Sequence, residues 1–506
     1  MYTKNILDWL EADAKKYPDK AAFGDVQEDI SYSQLVRDAR LIGSFIIKKA
    51  EPNKPIAFFM EKSCIAVRGM FGAIYARCFY SIMDVRSPIP RLKKMLSVLK
   101  PALILTDRKN AEGAEEFRDA AEIVCIEELL KKESVDEELL TARRAGAQDI
   151  DPIYVNFTSG STGTPKGVTV AHRSVIEFIE YFTELFKIGE DDILGNQAPF
   201  DFDVSVKDIY SGLYRGAKVQ IIPRDYFSNP TALMDYLADK KVTTCIWAVS
   251  AMCFVSIMNG FGYRVPESIN KVLFSGEVLP VKHLNVWKKY LPDATYVNLY
   301  GPTEITCNCT YYVLDRDFED TEVIPIGVPF PNEKVFLLND EDELIEQTDT
   351  DSVGEIIVSG TSVVQGYYND KERTAAAFVQ NPLQDKYIEQ VYRTGDLGRY
   401  DTDGQLVYVS RKDHQIKHLG QRIELGEIEA VVTAMEGIER TAVLYDEEKH
   451  KLIMFYTGQA DKKELMKELR TALPPYMMPN NVNQLDEMPL NKNGKIDRGR
   501  LKEYKK

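Results

Sequence analysis

Cysteine and histidine are scarce in this chain, which has 506 residues, seven cysteines and five histidines. An odd, widely scattered set of cysteines does not suggest a disulfide framework and instead favours a reduced, cytoplasmic setting. The closest pair, Cys307 and Cys309, has no second cysteine pair near it along the sequence. We therefore expect buried thiols there and not a metal site.

Long apolar stretches and an excess of basic charge are also missing. No run approaches the roughly 20 residues that a membrane span needs. The early acidic residues, with no small-residue cleavage site after them, do not fit a signal peptide. The 63 basic and 78 acidic side chains give a net charge of −15, which argues against non-specific binding to nucleic acid or anionic membranes but leaves room for a local phosphate pocket.

Short buried strands alternate with helices in the N-terminal part of the chain. Strand patterns occur at 55–60, 102–106 and 122–126, and a helical pattern occurs at 64–78. At roughly 150 residues per domain, the length allows about three units. Strands separated by helices predict an α/β fold with layered, largely parallel sheets.

The pattern changes after about residue 310. Several short strands broken by Gly, Asp and Asn occupy 323–412 and predict a β-rich subdomain. Helical and strand patterns of a smaller α+β domain follow from 413 onwards. We therefore expect a large N-terminal domain over 1–412 and a small C-terminal domain over 413–506.

The segment from Tyr154 to Val168 runs from an apolar strand into a loop of Ser, Thr and Gly that contains Lys166. Small residues let backbone N–H groups approach a phosphate, hydroxyls add donors, and the lysine adds positive charge. The P-loop pattern GxxxxGK[ST] is not met, because Pro165 and Gly167 stand where it needs Gly and Ser or Thr. We predict a phosphate loop of another kind, with a solvated turn as the alternative.

Further motifs follow this loop in order. The set is TSGSTGTPKG at 158–167, NLYGPTE at 298–304, GEIIVSG at 354–360 with GY at 366–367, YRTGD at 392–396, RKD at 411–413, GQRIELGEIE at 420–429 and NGKIDR at 493–498. Together these motifs resemble those of the adenylate-forming superfamily, which contains acyl-CoA synthetases, luciferases and peptide-synthetase adenylation domains. The resemblance covers about residues 150 to 500.

The resemblance implies a reaction in two steps, with ATP and Mg²⁺ as cofactors. A carboxylate first attacks the α-phosphate of ATP, giving an acyl-adenylate and pyrophosphate, and a thiol then attacks that mixed anhydride. Both reactants of the first step are anionic, so charge neutralisation and alignment matter more than proton transfer. The resemblance gives Lys495 the role of the bridging cation, and its alternative is one more surface lysine in a basic tail.

The same resemblance assigns the remaining nucleotide site. Glu304 is implied as the Mg²⁺ ligand, a donor type that this ion prefers, and Asp396 as the acceptor of the ribose hydroxyls, since one carboxylate can accept from a cis-diol. A turn residue is the alternative for Asp396. Tyr300 would stack on adenine, Asn298 would bind its exocyclic amine, and Arg411 would assist at the ribose. The residues implied to bind phosphate are Thr158, Ser159, Gly160, Ser161, Thr162, Gly163, Lys166 and Thr303.

Asp413 resembles the hinge at which the small domain of the superfamily rotates between the two steps. Rotation is needed because Lys495 must leave before a thiol can reach the adenylate. We therefore expect the small C-terminal domain to be mobile.

The segment FDVSVKD at 202–208 resembles the motif of amino-acid-activating members. The resemblance implies that Asp203 pairs with the α-ammonium of the substrate, which offsets the cost of burying a carboxylate. A helix N-cap or first-turn aspartate is the alternative. The side-chain pocket is implied to consist of Val204, Lys207, Trp247, Leu273, Ser275, Gly276, Leu299, Cys307 and Asn308.

Two of these residues bear on the choice of substrate. Lys207 lies one helical turn after Asp203, so it could pair with Asp203 or Asp208, or it could bind a carboxylate of an acidic substrate. Trp247 would fill volume and favour a small substrate.

No carrier, condensation or thioesterase pattern follows the small domain, so the chain resembles stand-alone ligases. These include D-alanine–carrier protein ligases and free-standing adenylation enzymes. The sequence thus predicts activation of an amino acid, either a small one such as D-alanine or an acidic one, and its transfer to the phosphopantetheine thiol of a carrier protein. The runner-up is an acyl- or aryl-CoA ligase for a small organic acid, and a nucleotide-binding protein without chemistry is a third possibility.

Overall fold

A computed structural model describes residues 3–160, 164–412, 415–418, 420–447, 449–490 and 496–504. The strands, numbered in chain order, are β1 (Ala21–Gly24), β2 (Asp29–Ser31), β3 (Pro55–Phe59), β4 (Phe79–Met83), β5 (Leu103–Thr106), β6 (Glu122–Cys125), β7 (Pro152–Thr158), β8 (Lys166–Ala171), β9 (Ile193–Asn196), β10 (Lys218–Ile221), β11 (Thr244–Ala248), β12 (Lys271–Ser275), β13 (Thr295–Tyr300), β14 (Thr310–Val313), β15 (Val328–Pro329), β16 (Glu333–Leu338), β17 (Leu344–Ile345), β18 (Gly354–Gly360), β19 (Phe378–Gln380), β20 (Gln390–Tyr400), β21 (Leu406–Arg411), β22 (Gln415–His418), β23 (Gln421–Glu424), β24 (Ile438–Asp446), β25 (Lys451–Gly458) and β26 (Asn481–Gln484).

The α-helices of the described residues are likewise numbered in chain order. They are α1 (Leu7–Lys16), α2 (Tyr32–Ile47), α3 (Cys64–Tyr75), α4 (Ile89–Leu99), α5 (Ala111–Ala114), α6 (Ile126–Lys132), α7 (Glu137–Ala145), α8 (His172–Leu185), α9 (Val204–Arg215), α10 (Pro230–Asp239), α11 (Val249–Ile257), α12 (Gly260–Tyr263), α13 (Val281–Tyr290), α14 (Lys371–Ala377), α15 (Leu425–Thr433), α16 (Lys462–Ala472) and α17 (Arg498–Leu501). Across the described ranges, none of these helices combines the length and the apolar character that crossing a membrane requires.

The chain forms two compact units. The first contains residues 1–84, 99–156 and 168–412, and the second contains 85–98, 157–167 and 413–506. Our sequence prediction placed the boundary between two continuous domains, whereas by packing the short segments 85–98 and 157–167 group with the second unit.

The first unit is built from layered sheets and helices. Within the described residues, one sheet has the strand order β15-β14-β13-β12-β11-β9-β10-β1-β2, and another has the order β6-β5-β3-β4-β7-β8. In the first sheet, the neighbouring strands in the run β10-β9-β11-β12-β13 pair in parallel. In the second sheet, the neighbouring strands in the run β6-β5-β3-β4 do so as well. The apolar run that forms β3 is buried along its whole length, as expected for a parallel strand covered on both faces.

The segment that follows in the first unit is antiparallel. Its sheet has the order β17-β16-β18-β20-β19, with β21 paired to β20. In the second unit β22 pairs with β23, and β24, β25 and β26 form a further sheet on which α15 packs. The predicted fold class is therefore confirmed: an α/β protein whose larger part includes a β-rich region and whose smaller part is α+β.

Apolar side chains divide between the two faces of the long sheet. Leu273 and Val297 belong to one buried cluster, whereas Phe274 and Tyr296 belong to another. Alternation along β12 and β13 produces this division, since successive side chains of a strand point to opposite faces.

Candidate active site

The carboxyl ends of β12 and β13 carry part of the predicted side-chain pocket. The two strands are parallel, with Ser275 opposite Leu299 and Leu273 opposite Val297. Leu273, Ser275 and Leu299 therefore share one face of the sheet. Ligands of open parallel sheets bind beyond the carboxyl ends of the strands, so this edge is where a substrate is expected.

Helix α9 begins directly after Asp203, which is buried. Asp203 occupies the N-cap position, but its side chain makes no capping hydrogen bond. Its backbone oxygen accepts a hydrogen bond from Cys307 Sγ at 3.2 Å. Burial raises the pKa of the Cys307 thiol, so Cys307 is a neutral donor that ties the start of α9 to the loop after β13.

Lys207 is the most deeply buried cation of this group, with none of its surface exposed. Its Nζ donates to Asn308 Oδ1 at 2.8 Å and to Ser275 Oγ at 3.2 Å. Burial lowers the pKa of Lys207, while the charges of Asp203 and Asp208 oppose that shift. The structure thus joins α9, β12 and the loop after β13 through one ammonium group.

Trp247 does not join this group. It pairs with Phe274 across β11 and β12, packs edge-on against Phe227 and Trp287, and belongs to the cluster on the opposite face of the sheet. The residue of β11 on the pocket face is Ile246, which the sequence analysis missed. A shift of one position along a strand moves a side chain to the other face, and all five residues of β11 are buried, so its sequence carries no polar–apolar alternation that marks the pocket face.

The loop after β13 has an unusual backbone. Thr306 and Cys307 both adopt positive φ, at 52° and 79°, which is uncommon for residues other than glycine and rarest for a β-branched residue such as Thr306. Thr306 Oγ1 donates to Ser362 O at 2.7 Å and helps to hold this conformation. Gly301 is required beneath it, because a Cβ there would lie 2.5 Å from Asn308 Cα. Asn308 and Cys307 reach the pocket through this tight turn.

Three of the residues predicted to bind adenosine form a buried hydrogen-bonded group. Asp396 on β20 lies opposite Arg411 on β21. Arg411 Nη1 donates to Asp396 Oδ1 at 2.6 Å, and Tyr300 Oη donates to Asp396 Oδ2 at 2.7 Å. Burial raises the pKa of Tyr300 well above its usual value, so the phenol stays a donor. Each carboxylate oxygen has a second lone pair that a hydroxyl can use.

Asn298 lies two residues before Tyr300 on the same strand. Its Nδ2 donates to Pro325 O at 2.8 Å. The amide is therefore oriented by the backbone, and the predicted contact with an exocyclic amine would use its Oδ1.

Glu304, the predicted metal ligand, lies fully buried on the single turn Thr303–Ile305. Its Oε1 accepts a hydrogen bond from Tyr367 Oη at 2.8 Å. In the described ranges there is no group of three or more His, Cys, Asp or Glu side chains suited to a metal. One buried carboxylate fits Mg²⁺, which usually takes one or two protein carboxylates and fills its remaining positions with phosphate oxygens and water.

The predicted phosphate loop is described in part. In the second unit, Ser159 Oγ donates to Arg422 O at 2.8 Å and accepts from Glu424 N at 3.2 Å. The hydroxyl of Thr158 is buried and has no hydrogen-bond partner among the described residues. Gly160 is buried next to them, and Lys166 begins β8. Five predicted site residues lie outside the described residues, namely Ser161, Thr162, Gly163, Asp413 and Lys495.

The chain belongs to the AMP-binding enzyme family. The family model described as AMP-binding enzyme matches residues 10–368, and the model described as AMP-binding enzyme C-terminal domain matches residues 427–495. The resemblance to the adenylate-forming superfamily is thereby confirmed.

The chain is also similar to named proteins over most of its own length. The chain is 32% identical over 470 residues to the L-proline–[L-prolyl-carrier protein] ligase of Streptomyces coelicolor, covering 88% of this chain and 86% of that protein. It is 30% identical over 514 residues to tyrocidine synthase 1 of Brevibacillus parabrevis, covering 99% of this chain and 45% of that protein. The chain thus spans less than half the length of that synthase.

Solved structures share the fold at lower identity. The Vibrio cholerae adenylation domain AlmE, in complex with glycyl-adenosine-5′-phosphate, superposes with a TM-score of 0.83 at 20% identity, covering 100% of this chain and 99% of that one. The o-succinylbenzoate CoA synthetase of Bacillus subtilis superposes with a TM-score of 0.85 at 20% identity, covering 99% and 98%. The chain therefore shares its fold with an adenylation domain and with a CoA synthetase.

Proposed function

We propose that this protein activates an amino acid with ATP and transfers it to the phosphopantetheine thiol of a carrier protein. A carboxylate oxygen of the amino acid bonds to the α-phosphorus, and the bond from that phosphorus to the β-phosphate oxygen breaks, releasing pyrophosphate. The carrier thiolate then bonds to the acyl carbon, and the acyl C–O bond breaks, releasing AMP. Each step exchanges one bond for another and needs no oxidant or reductant.

The observation that carries this proposal is the buried carboxylate of Asp203 at the start of α9. The backbone oxygen of Asp203 accepts a hydrogen bond from Cys307, and the charge of its carboxylate acts on Lys207. A carboxylate so placed can bind an α-ammonium group through a charge-assisted hydrogen bond. An organic acid without an amine has no donor for this bond. The proline–carrier protein ligase and the glycyl-adenylate complex support the same substrate class.

We propose the following roles for the residues predicted to bind the nucleotide. Asp396, oriented by Arg411 and Tyr300, would accept hydrogen bonds from the ribose hydroxyls. The hydroxyls of the loop that begins at Thr158 would contact phosphate, and Lys495 would approach the reacting carboxylate. When Mg²⁺ is bound through Glu304, it supplies positive charge to the phosphates.

The test is ATP–pyrophosphate exchange with each L- and D-amino acid and with the same acids lacking the amine. We expect exchange with an amino acid, none with its deamino analogue, and loss of exchange in Asp203→Asn. A second assay offers the adenylate to a phosphopantetheine-bearing carrier protein and to free CoA, with mass detection of the thioester.

The results of the two assays distinguish a carrier-protein ligase from a CoA ligase and from a nucleotide-binding protein. Loading of the carrier but not of CoA supports the proposal, whereas exchange with deamino acids and loading of CoA would establish an acyl- or aryl-CoA ligase. A complete absence of carboxylate-dependent exchange would leave a nucleotide-binding protein without chemistry.

A further inference from the structure

Lys207 places a positive charge inside the predicted side-chain pocket. The two acceptors of its ammonium, Ser275 Oγ at 3.2 Å and Asn308 Oδ1 at 2.8 Å, are neutral oxygens. Both acceptors come from other elements, so the lysine is fixed in one position and is not a flexible surface chain. An ammonium group has three N–H donors, and two of them are used here.

No carboxylate of the described residues lies within ion-pairing distance of Lys207, that is, 4.0 Å. The nearby ionisable groups are Cys307, Asp203 and Asp208, and of these Cys307 is a neutral thiol. Asp208 makes its one side-chain contact among the described residues elsewhere, since its Oδ2 accepts from Asn196 Nδ2 at 2.9 Å and its Oδ1 has no hydrogen-bond partner there. Burial raises its pKa to about 7, which weakens it further as a counter-ion.

A buried cation without a paired anion is costly, and a ligand that brings the anion offsets that cost. The site then holds two opposite charges one helical turn apart, Asp203 and Lys207. An amino acid with a carboxylate in its side chain matches both, since its α-ammonium meets Asp203 and its side-chain carboxylate meets Lys207. The α-carboxylate stays available for reaction with ATP.

Pocket filling is the competing explanation for Lys207. A long side chain that crosses the pocket to reach Ser275 and Asn308 would exclude large substrates and select a small neutral one. A hydrocarbon chain would serve that purpose equally well without the cost of burying a charge, so the charge favours a role in binding.

We propose that Lys207 binds a side-chain carboxylate of the substrate, so that this protein activates an acidic amino acid. This inference rests on the proposed function, because it specifies the substrate of the same site.

The experiment measures kcat/KM of pyrophosphate exchange for the D- and L-forms of aspartate, glutamate, asparagine, glutamine and alanine, and for glycine. We expect kcat/KM for one acidic amino acid to be about 100-fold or more higher than kcat/KM for its amide. A site built to bind a polar group strongly rejects the analogue that lacks it. Lys207→Met should abolish this preference. The matched control is Lys282→Met, the same substitution at an exposed lysine.

The wild-type panel keeps the test decisive even where Lys207→Met does not fold. Exchange with alanine or glycine but with no acidic amino acid would overturn the inference and leave the proposed function intact. A preference for the acid that Lys207→Met retains would also overturn it. Absence of exchange with every amino acid would overturn both.

Discussion

Asp396 and Arg411 face each other across two antiparallel strands and form a buried ion pair, with 2.6 Å between Asp396 Oδ1 and Arg411 Nη1. Tyr300 donates to the second oxygen of the same carboxylate. Two strands and a third from another sheet thus fix one carboxylate in a single orientation. This preorganisation suits recognition of a rigid cis-diol.

Replacing Arg411 by Ala should weaken ATP binding by about 100-fold and also lower stability, because removing one partner of a buried pair costs about 3–5 kcal/mol. Isothermal titration with ATP and denaturant unfolding measure the two effects. Tyr300→Phe is the matched control, since it removes one hydrogen bond worth about 1 kcal/mol and leaves the charge pair intact. Unchanged ATP affinity in Arg411→Ala would contradict the predicted role.

Tyr367→Phe removes the hydroxyl that donates to Glu304 Oε1 at 2.8 Å. A carboxylate that loses this bond is less well oriented toward a metal, and such outer partners typically contribute 10- to 100-fold in metal affinity. We expect the Mg²⁺ concentration for half-maximal exchange to rise by about 10-fold. Binding of Mn²⁺ in the presence of ATP, followed by electron paramagnetic resonance, should weaken in parallel. An unaltered metal dependence in this variant would show that Tyr367 serves packing alone.

The motifs identified candidate site residues one at a time but did not show which side chains would contact one another. Asp396 and Arg411 were assigned from local motifs, and the strands that carry them bring the two side chains together as such a site needs. Trp247 was misassigned because both faces of β11 are buried, so the sequence of that strand alone does not show which of two adjacent residues faces the pocket. The partners of Lys207 come from elements about 70 and 100 residues away, a distance that no local pattern spans.

Glu333 gives a prediction about pH and stability. Burial raises its pKa from 4.5 to about 7, and its Oε2 has no hydrogen-bond partner within the described part of the chain. The folded state therefore holds this proton more tightly than the unfolded chain does. The resulting stabilisation is fully present below pH 4.5 and is lost as the pH rises to about 7.

Glu333→Gln removes this titration. Relative to the wild type, we expect the free energy of unfolding of the variant to improve by about 3 kcal/mol between pH 4.5 and 7. Urea unfolding at a series of pH values measures it. Glu343→Gln, at an exposed glutamate, should follow the wild type throughout, and a pH-independent difference for Glu333→Gln would refute the raised pKa.

Lys495→Ala should remove most of the pyrophosphate exchange while leaving ATP binding almost intact. The lysine is expected to stabilise charge that develops only as the carboxylate meets the α-phosphate, and losing a preorganised donor of this kind costs about 3–4 kcal/mol, or 10²–10³ in rate. Lys492→Ala, at a neighbouring lysine of the same basic segment, is the matched control. Near-normal pyrophosphate exchange in Lys495→Ala would show that Lys495 is not the cation of the first half-reaction.

Asp413→Pro tests whether the two half-reactions need different positions of the C-terminal residues. Proline fixes φ near −65° and removes the backbone freedom that a hinge uses. If Asp413 is the hinge, pyrophosphate exchange should persist at the wild-type rate, because the first half-reaction needs only one position of the C-terminal residues. Thioester formation with a carrier protein needs a second position and should fall by about 100-fold or more. The alanine variant Asp413→Ala, which keeps backbone freedom, should support both reactions. Equal loss of both activities in the proline variant would indicate a folding defect, and equal retention would place the hinge elsewhere.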